Sequence, residues 1–278
     1  MLLTPDWTGG PWAAAALAVV AWWASTGAIL LAVRRAERTG GHRRAVLATL
    51  PVLALGVWGF AATRDGAGPG AAYGAFASAL AVWGWIELAF LAGVITGPNR
   101  TRLRAGVPEW ERFVRAWGTV AYHEMTLTAA LAALAILAHG AGNRVGLWTF
   151  AVLYAARISA KLNLYLGVRK VNVAFLPPHL AHLPSHFREA RMNWLFPTSV
   201  TALTVAAVLW AERAATAPAP AEAAGAALLA ALAALAALEH WFMVVRLPDE
   251  KLWQWMLPDT RPALPGDAIT GEDRDAVR

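Results

Sequence analysis

Seven stretches of the chain are apolar over enough residues to cross a lipid bilayer as helices. A spanning helix needs roughly 20 mostly apolar residues. The candidate spans cover residues 11–33, 45–63, 71–96, 113–139, 145–166, 197–214 and 224–245, of which the second and sixth are the shortest. Only 15% of the 278 residues are charged and 58% are hydrophobic, which is unlike a soluble domain. We therefore predict an all-α fold, a polytopic membrane helical bundle with about seven transmembrane helices.

The basic residues are distributed unevenly over the loops between these spans. Nineteen of the 24 Lys and Arg residues fall on one side of the predicted bundle, in segments 34–44, 100–115, 169–191 and 246–278. The opposite side has only Arg64, Arg144 and Arg213. Because short basic loops remain in the cytoplasm, the pattern predicts a periplasmic N-terminus and a cytoplasmic C-terminus. It also explains the net charge of +6 without nucleic acid as a partner.

The domain organisation follows from the same pattern. A single transmembrane domain is predicted over residues 1–257. Its longest loop, 167–196, contains Trp, three His and two adjacent prolines, and we expect it to lie at the cytoplasmic membrane surface and to include an interfacial helix. The tail 258–278 is polar and rich in Pro and Asp, and is predicted to be disordered.

Ionisable side chains lie inside four of the predicted spans. They are Glu87 in the third span, His123 and Glu124 in the fourth, Arg157 and Lys161 in the fifth, and Glu239 and His240 in the seventh. Each charge within a span costs about 2.5–3.5 kcal/mol to insert. A helical rise of about 1.5 Å per residue places all of them in the cytoplasmic half of the bilayer. Four helices thus present polar groups at one depth, and intramembrane ionisable groups are candidates for function.

Three explanations of these groups remain open. In an ion-pair network, Arg157 and Lys161, which share a helix face, would neutralise two of the three glutamates and leave one carboxylate for a proton, a protonated His or a bound cation. In a metal or cofactor site, the three Glu and two His would act as ligands, a set that suits iron, manganese or zinc. The third explanation is a proton path. Adjacent helical positions point about 100° apart, so His123 and Glu124 are not expected to aim at one point.

Other candidate sites receive less support from the sequence. His179, His182 and His186 would share one face of a helix and could bind zinc, but Pro184 interrupts the run and histidines in a polar loop need no metal to explain them. The chain has no cysteine, which excludes a thiol nucleophile and cysteine-ligated metals. It also has no nucleophile elbow, phosphate-binding loop or dinucleotide glycine pattern.

Several longer segments have an unusual and specific sequence. They are Trp83-Gly-Trp-Ile-Glu-Leu, Ile95-Thr-Gly-Pro-Asn-Arg, Tyr122-His-Glu, Ser159-Ala-Lys-Leu-Asn-Leu-Tyr-Leu-Gly-Val-Arg, Met192-Asn-Trp-Leu-Phe-Pro-Thr-Ser-Val-Thr and Leu238-Glu-His-Trp-Phe-Met. In these segments the chain resembles the PuhE family of photosynthetic complex assembly proteins, over about residues 71–255. The motifs include Glu87, His123, Glu124, Lys161, Asn163, Glu239 and His240. The family usually has His at position 179 only, so His182 and His186 depart from its pattern.

The resemblance implies a multi-pass protein of the bacterial inner membrane. Such a protein would assist the assembly of reaction-centre and light-harvesting complexes and the supply of bacteriochlorophyll. Its partners would be the lipid bilayer and the subunits of those complexes, or pigment-biosynthesis proteins. The bound group would be a bacteriochlorophyll-type tetrapyrrole, or iron or manganese. His123 or His240 could ligate a central metal with Glu124 or Glu239 as its partner, and Arg157 and Lys161 could pair with a pigment propionate or with Glu87.

Two other function classes compete with assembly. A membrane metal-dependent oxidoreductase acting on a pigment or lipid precursor would use the same residues as ligands. A transporter would require discontinuous helices. The third to fifth spans contain no proline, and Gly84 and Gly118 are weak signals for a break, so transport ranks last.

Overall fold

The computed structural model describes residues 10–171, 173 and 176–245. Within these ranges all regular secondary structure is helical, and the β pairing consists of one isolated parallel bridge between Val168 and Glu189. Seven helical segments of this part of the chain are long and apolar enough to cross a membrane. The prediction of an all-α protein with about seven transmembrane helices is therefore confirmed.

Eight α-helices form these segments. They are α1 (Pro11–Thr39), α2 (His42–Ala48), α3 (Leu50–Thr63), α4 (Pro69–Leu91), α5 (Glu109–Leu137), α6 (Val145–Leu166), α7 (Leu195–Thr216) and α8 (Pro220–Phe242). Helices α2 and α3 follow each other directly and together form the second span. Proline occupies the first helical position of α1, α4 and α8, where its missing N–H would have no intrahelical partner.

Helices α4 and α8 form the centre of the bundle. In the most apolar part of each, 61% and 56% of the residues are buried, against 17–28% in the other five spans. Small residues let neighbouring backbones approach these two helices closely. At Gly225 of α8, an added Cβ would lie 2.6 Å from Cγ2 of Val145 on α6. Glu87 lies on α4, so its buried carboxylate is at the centre of the bundle.

The third span ends earlier than the sequence predicts. Helix α4 stops at Leu91, five residues before the predicted end at position 96, and the chain then folds back against α5. The N–H of His123 donates to the carbonyl of Thr96 at 3.1 Å, and the N–H of Asn99 donates to the carbonyl of Gly118 at 3.0 Å. A non-helical segment thus lies directly on the backbone of α5 at the level of His123.

The loop between α6 and α7 differs from the predicted form. Its described residues contain two 3₁₀ turns, Pro178–Leu180 and Leu183–His186, instead of an interfacial α-helix. Prolines lack the N–H that a helix interior needs, and three of them lie in these turns or directly before them. The loop packs onto the bundle through Leu180 and Leu183, which contact Phe90. Residues 246–257 of the predicted domain and the predicted tail 258–278 lie outside the described residues.

Candidate functional site

Glu87 on α4 and Arg157 on α6 form an ion pair inside the bundle. The Oε2 atom of Glu87 lies 2.9 Å from Nη2 of Arg157. Glu87 is almost completely buried, with 6% of its side chain exposed, whereas 40% of the Arg157 side chain remains exposed. The guanidinium also lies 6.0 Å from the ring centroid of Trp83. Arg157 therefore compensates a buried carboxylate and still faces open space.

One helical turn further along α6, Lys161 contacts two residues of α5. Its ammonium group is paired with Oε1 of Glu124 and lies 2.9 Å from Nδ1 of His123. A protonated Lys can only donate hydrogen bonds, so Nδ1 of His123 is the acceptor. A neutral His123 then carries its proton on Nε2, which faces Oε1 of Glu87 at 3.6 Å.

These five residues make one continuous chain of polar groups across α4, α5 and α6. We call the chain Glu124–Lys161–His123–Glu87–Arg157 the polar cluster. Its two carboxylates and two cations balance each other. Oε1 of Glu87 and Nε2 of His123 face each other at 3.6 Å, just beyond hydrogen-bond distance, and Oε2 of Glu124 is buried without a hydrogen-bond partner among the described residues. Oε2 of Glu124 is thus a buried acceptor that no described group satisfies.

The neighbours His123 and Glu124 do converge on one point, contrary to the expectation from helical geometry. Both are buried, and Nδ1 of His123 lies 3.4 Å from Oε1 of Glu124. Both side chains can reach the same group because Lys161 is long. Its ammonium, which has three donors, lies between Nδ1 of His123 and Oε1 of Glu124.

His240 lies away from the polar cluster and has hydrogen bonds to both of its ring nitrogens. Its Nδ1 is 2.8 Å from the carbonyl oxygen of Ala236, which can only accept, and the proton therefore resides on Nδ1. Nε2 then accepts from the hydroxyl of Ser159 at 2.9 Å. On the same face of α6, the amide of Asn163 donates to Ser199 of α7 at 3.0 Å. These contacts tie α6 to α7 and α8.

Glu239 occupies a third location, on the side of α8 that faces α1. Its Oε1 accepts a hydrogen bond from Nε1 of Trp22 at 3.0 Å. The five predicted ligands are therefore distributed over three places: Glu87, His123 and Glu124 lie together, while His240 and Glu239 each have other partners. Among the residues that the structure describes, no three His, Asp or Glu side chains are arranged to hold a metal ion.

Two cavities flank the Glu87–Arg157 ion pair. The smaller, of about 250 Å³, lies between α1, α4, α6 and α8 and includes Glu239 and Trp22 in its wall. The larger has a volume of about 400 Å³, and we call it the α5–α6 cavity. Its apolar lining includes Phe90, Phe113, Trp117, Leu162, Leu176 and Phe187. The charged residues in its wall are Glu87, Glu124, Arg157 and Lys161. An apolar pocket of this size with a few converging polar groups is typical of ligand sites.

The three loop histidines are held separately. Nε2 of His179 is 2.8 Å from the carbonyl of Leu91, and Nε2 of His186 is 3.1 Å from that of Thr101. Burial lowers the pKa of His182 and His186 below the ordinary value of about 6.5, so both are uncharged at neutral pH. Arg112 holds this loop in place, because its Nη2 donates to the carbonyls of Tyr165 and His186 at 2.7 and 3.2 Å.

Sequence reasoning missed the segment that positions His123. Gly97 lies so close to α5 that an added Cβ would be 2.1 Å from the carbonyl oxygen of Gly118. The amide of Asn99 donates to the carbonyl of Arg115 at 2.9 Å and fixes the same contact. The available signal was the turn sequence Gly97-Pro-Asn, which directly follows the predicted end of the third span at position 96.

The seven long apolar helices are those of a multi-pass α-helical membrane protein, and the polar cluster lies buried between three of them. The chain belongs to the family described as "Protein of unknown function (DUF3623)", whose model matches residues 9–263. It is also 50% identical over 271 residues to a protein of Rhodobacter capsulatus described as "Uncharacterized 30.4 kDa protein in puhA 5'region". That similarity covers 94% of this chain and 99% of the relative. No solved structure matches the chain at a significant level.

Proposed function

We propose that this protein is an inner-membrane factor of the PuhE type that assists the assembly of photosynthetic reaction-centre and light-harvesting complexes. In this role it holds a pigment or pigment precursor in the α5–α6 cavity. The position of the relative beside puhA links that protein to a photosynthesis operon and supports the setting. The multi-pass fold supports a site of action within the bilayer.

The observation that carries the proposal is the contact between an apolar cavity and a charged cluster. The α5–α6 cavity offers aromatic side chains, among them Phe90 and Trp117, to a flat apolar ring. At its polar wall, Arg157 is 40% exposed and carries a planar guanidinium suited to a carboxylate. This combination favours a tetrapyrrole that carries an acidic side chain, or its precursor.

The residues do not fit a tetrapyrrole whose central metal is ligated by His240. A ligating imidazole needs an available lone pair, and His240 uses Nδ1 on Ala236 and Nε2 on Ser159. The lone pair of His123 is likewise directed at Lys161. The proposal therefore places ligand recognition at Arg157 and the aromatic wall.

A cavity-filling variant tests ligand binding. Ala116 lines the α5–α6 cavity, whereas Ala129 lies on the exposed face of the same helix. In protein purified gently from phototrophically grown membranes, we expect a tetrapyrrole absorption band that falls about tenfold in Ala116→Phe, because the new ring occupies the ligand pocket. The band should be unchanged in Ala129→Phe.

Two results of the same purification would contradict pigment binding. If the purified wild-type protein had no tetrapyrrole absorption band and no bound metal, it would not be a pigment carrier, and its function would depend on contacts with partner proteins alone. Stoichiometric iron or manganese that is lost in Glu124→Ala would favour the oxidoreductase instead. Absorption and total metal content are therefore measured on one sample.

We further propose that the N-terminus is periplasmic and the C-terminus cytoplasmic, on the basis of the excess of basic residues in the alternate loops. Because the chain lacks cysteine, single cysteines can be introduced for labelling without first removing native ones. Gly68→Cys has open space for its side chain, and Arg104→Cys lies at the other end of the bundle. A membrane-impermeant maleimide should label Gly68→Cys in intact spheroplasts and Arg104→Cys only after lysis. The reverse pattern would show the opposite orientation.

A further inference from the structure

A third cavity lies at the end of the bundle away from the polar cluster. It has a volume of about 650 Å³ and is bordered by the start of α4, α6 and α8 and by the last part of α7. We call it the headgroup cavity. It shares no lining residue with the α5–α6 cavity.

The wall of the headgroup cavity is fixed by Asn143. The side-chain amide of this residue donates to the carbonyls of Thr63 and Ala71, each at 3.0 Å, and its Oδ1 accepts from the N–H of Val145 at 3.1 Å. These bonds join the corner between α3 and α4 to the start of α6. The cavity is thus part of the folded framework.

The charges around the headgroup cavity are not balanced. Arg144, Arg213, Asp65 and Glu222 line it, and Asp65 is already paired with Arg64 at 3.4 Å. Two arginines of the cavity wall therefore face one remaining carboxylate there, and Glu212 next to Arg213 makes this end of the described bundle neutral as a whole. Within the described ranges, Arg64, Arg144 and Arg213 are the only Lys or Arg residues in or beside the loops at this end of the molecule. A phosphodiester would bring to the cavity wall the second negative charge that its two arginines lack there.

The remaining lining favours a lipid as the source of that phosphodiester. The rings of Trp148 and Trp210 lie 5.9 Å apart in a T-shaped arrangement, and the guanidinium of Arg213 is 6.0 Å from the Trp210 centroid. Trp is enriched at the membrane–water interface, where lipid headgroups lie. Deeper in the cavity the lining is apolar, with Ala226 and Leu229, and suits the start of an acyl chain.

We propose that the headgroup cavity binds an anionic phospholipid, with the phosphodiester at Arg144 and Arg213 and the glycerol and acyl chains towards Leu229. This inference is independent of the pigment proposed for the α5–α6 cavity. Arginine recognises phosphate through charge-assisted hydrogen bonds, and Glu222 limits the strength of the site by its negative charge.

The test uses the purified full chain, delipidated in detergent, with phosphatidylglycerol and phosphatidylcholine as probes in native mass spectrometry. Both lipids carry the phosphodiester, but choline adds a positive charge that the two arginines repel, so we expect phosphatidylglycerol to bind about tenfold more tightly. Arg144→Gln and Arg213→Gln should remove this preference, and Glu222→Gln should increase it. Arg104→Gln, at the opposite end, is the matched control and should retain it.

Three outcomes would overturn the proposal. Equal retention of both lipids by the wild type would remove the basis for charge recognition. If Arg104→Gln lost as much of the preference for phosphatidylglycerol as Arg213→Gln, the lipid would be attracted by positive charge anywhere on the protein and not by this cavity. Full competition by soluble glycerophosphoglycerol at the same concentration would assign the site to a soluble phosphodiester instead of a lipid.

Discussion

Lys161→Met is expected to destabilise the protein by about 3–5 kcal/mol, because it leaves a buried carboxylate without its cation. Glu124 is 3% exposed, and Lys161 provides its charge partner. The substitution also removes the donor to Nδ1 of His123. We expect a lower thermal midpoint in detergent and a reduced abundance in the membrane, measured side by side.

The double variant Glu124→Gln/Lys161→Met separates charge from packing. It removes the carboxylate and the cation together, and it should therefore recover most of the stability lost in Lys161→Met. Arg191→Met is the matched control, since Arg191 is an exposed cation in the loop between α6 and α7. Wild-type stability of Lys161→Met would contradict the pairing, as would a double variant less stable than the single one.

The same double variant distinguishes structure from function in the polar cluster. If it folds and retains the tetrapyrrole band, the Glu124–Lys161 pair serves the fold, and ligand recognition belongs to the other wall residues. If it folds and loses the band, the pair contributes directly to binding. Stability and absorption are therefore read from the same preparation.

Much of the bundle can be predicted from the sequence because the spans and their charged residues each depend only on a short stretch of the chain. The insertion cost of a charge selects Glu87, Glu124, Arg157 and Lys161, and the helical rise places them at one depth. The structure brings these residues into contact across three helices. Hydropathy likewise gives the seven spans, since each needs only its own length of apolar sequence.

The rotation of each helix about its axis is not predictable in the same way. Glu239 and His240 are adjacent, and the sequence gives no reason for His240 to face Ser159 while Glu239 faces Trp22. That choice depends on how α8 packs between α1, α6 and α7, which is a property of the whole bundle. Ser159 and Ser199 were not predicted as partners for a different reason: a hydroxyl costs little inside a helix, so the insertion cost does not single it out.

The contact at Gly97 is the clearest example of a feature set by tertiary packing. Helix α4 stops at Leu91 although the sequence remains apolar to Ile95, because the following segment donates and accepts hydrogen bonds at the backbone of α5. The segment places Thr96 on the N–H of His123. The segment 96–99 thus holds the part of α5 that contains His123 in place.

Gly97→Ala is accordingly expected to cost about 3 kcal/mol or more, at the upper end for an overpacked site. The new Cβ would lie 2.1 Å from the carbonyl oxygen of Gly118 and 2.8 Å from the carbonyl carbon of Thr119, and a helix backbone cannot yield as a side chain can. Gly84→Ala is the matched control: its nearest neighbour would be Cδ1 of Ile29 at 3.5 Å, and alanine favours a helix by up to about 1 kcal/mol.

The expected readouts are a lower thermal midpoint and faster hydrogen exchange at the amide of His123 in Gly97→Ala, with neither change in Gly84→Ala. Hydrogen exchange at the amide of His123 reports specifically on this contact, because that amide donates to the carbonyl of Thr96 in the segment that Gly97→Ala would displace. Gly118→Ala should have a milder effect, since its Cβ would meet only Cβ of Asn99 at 3.2 Å. If Gly97→Ala exchanges at His123 as slowly as the wild type, the loop does not support the polar cluster, and α5 holds His123 through its own hydrogen bonds.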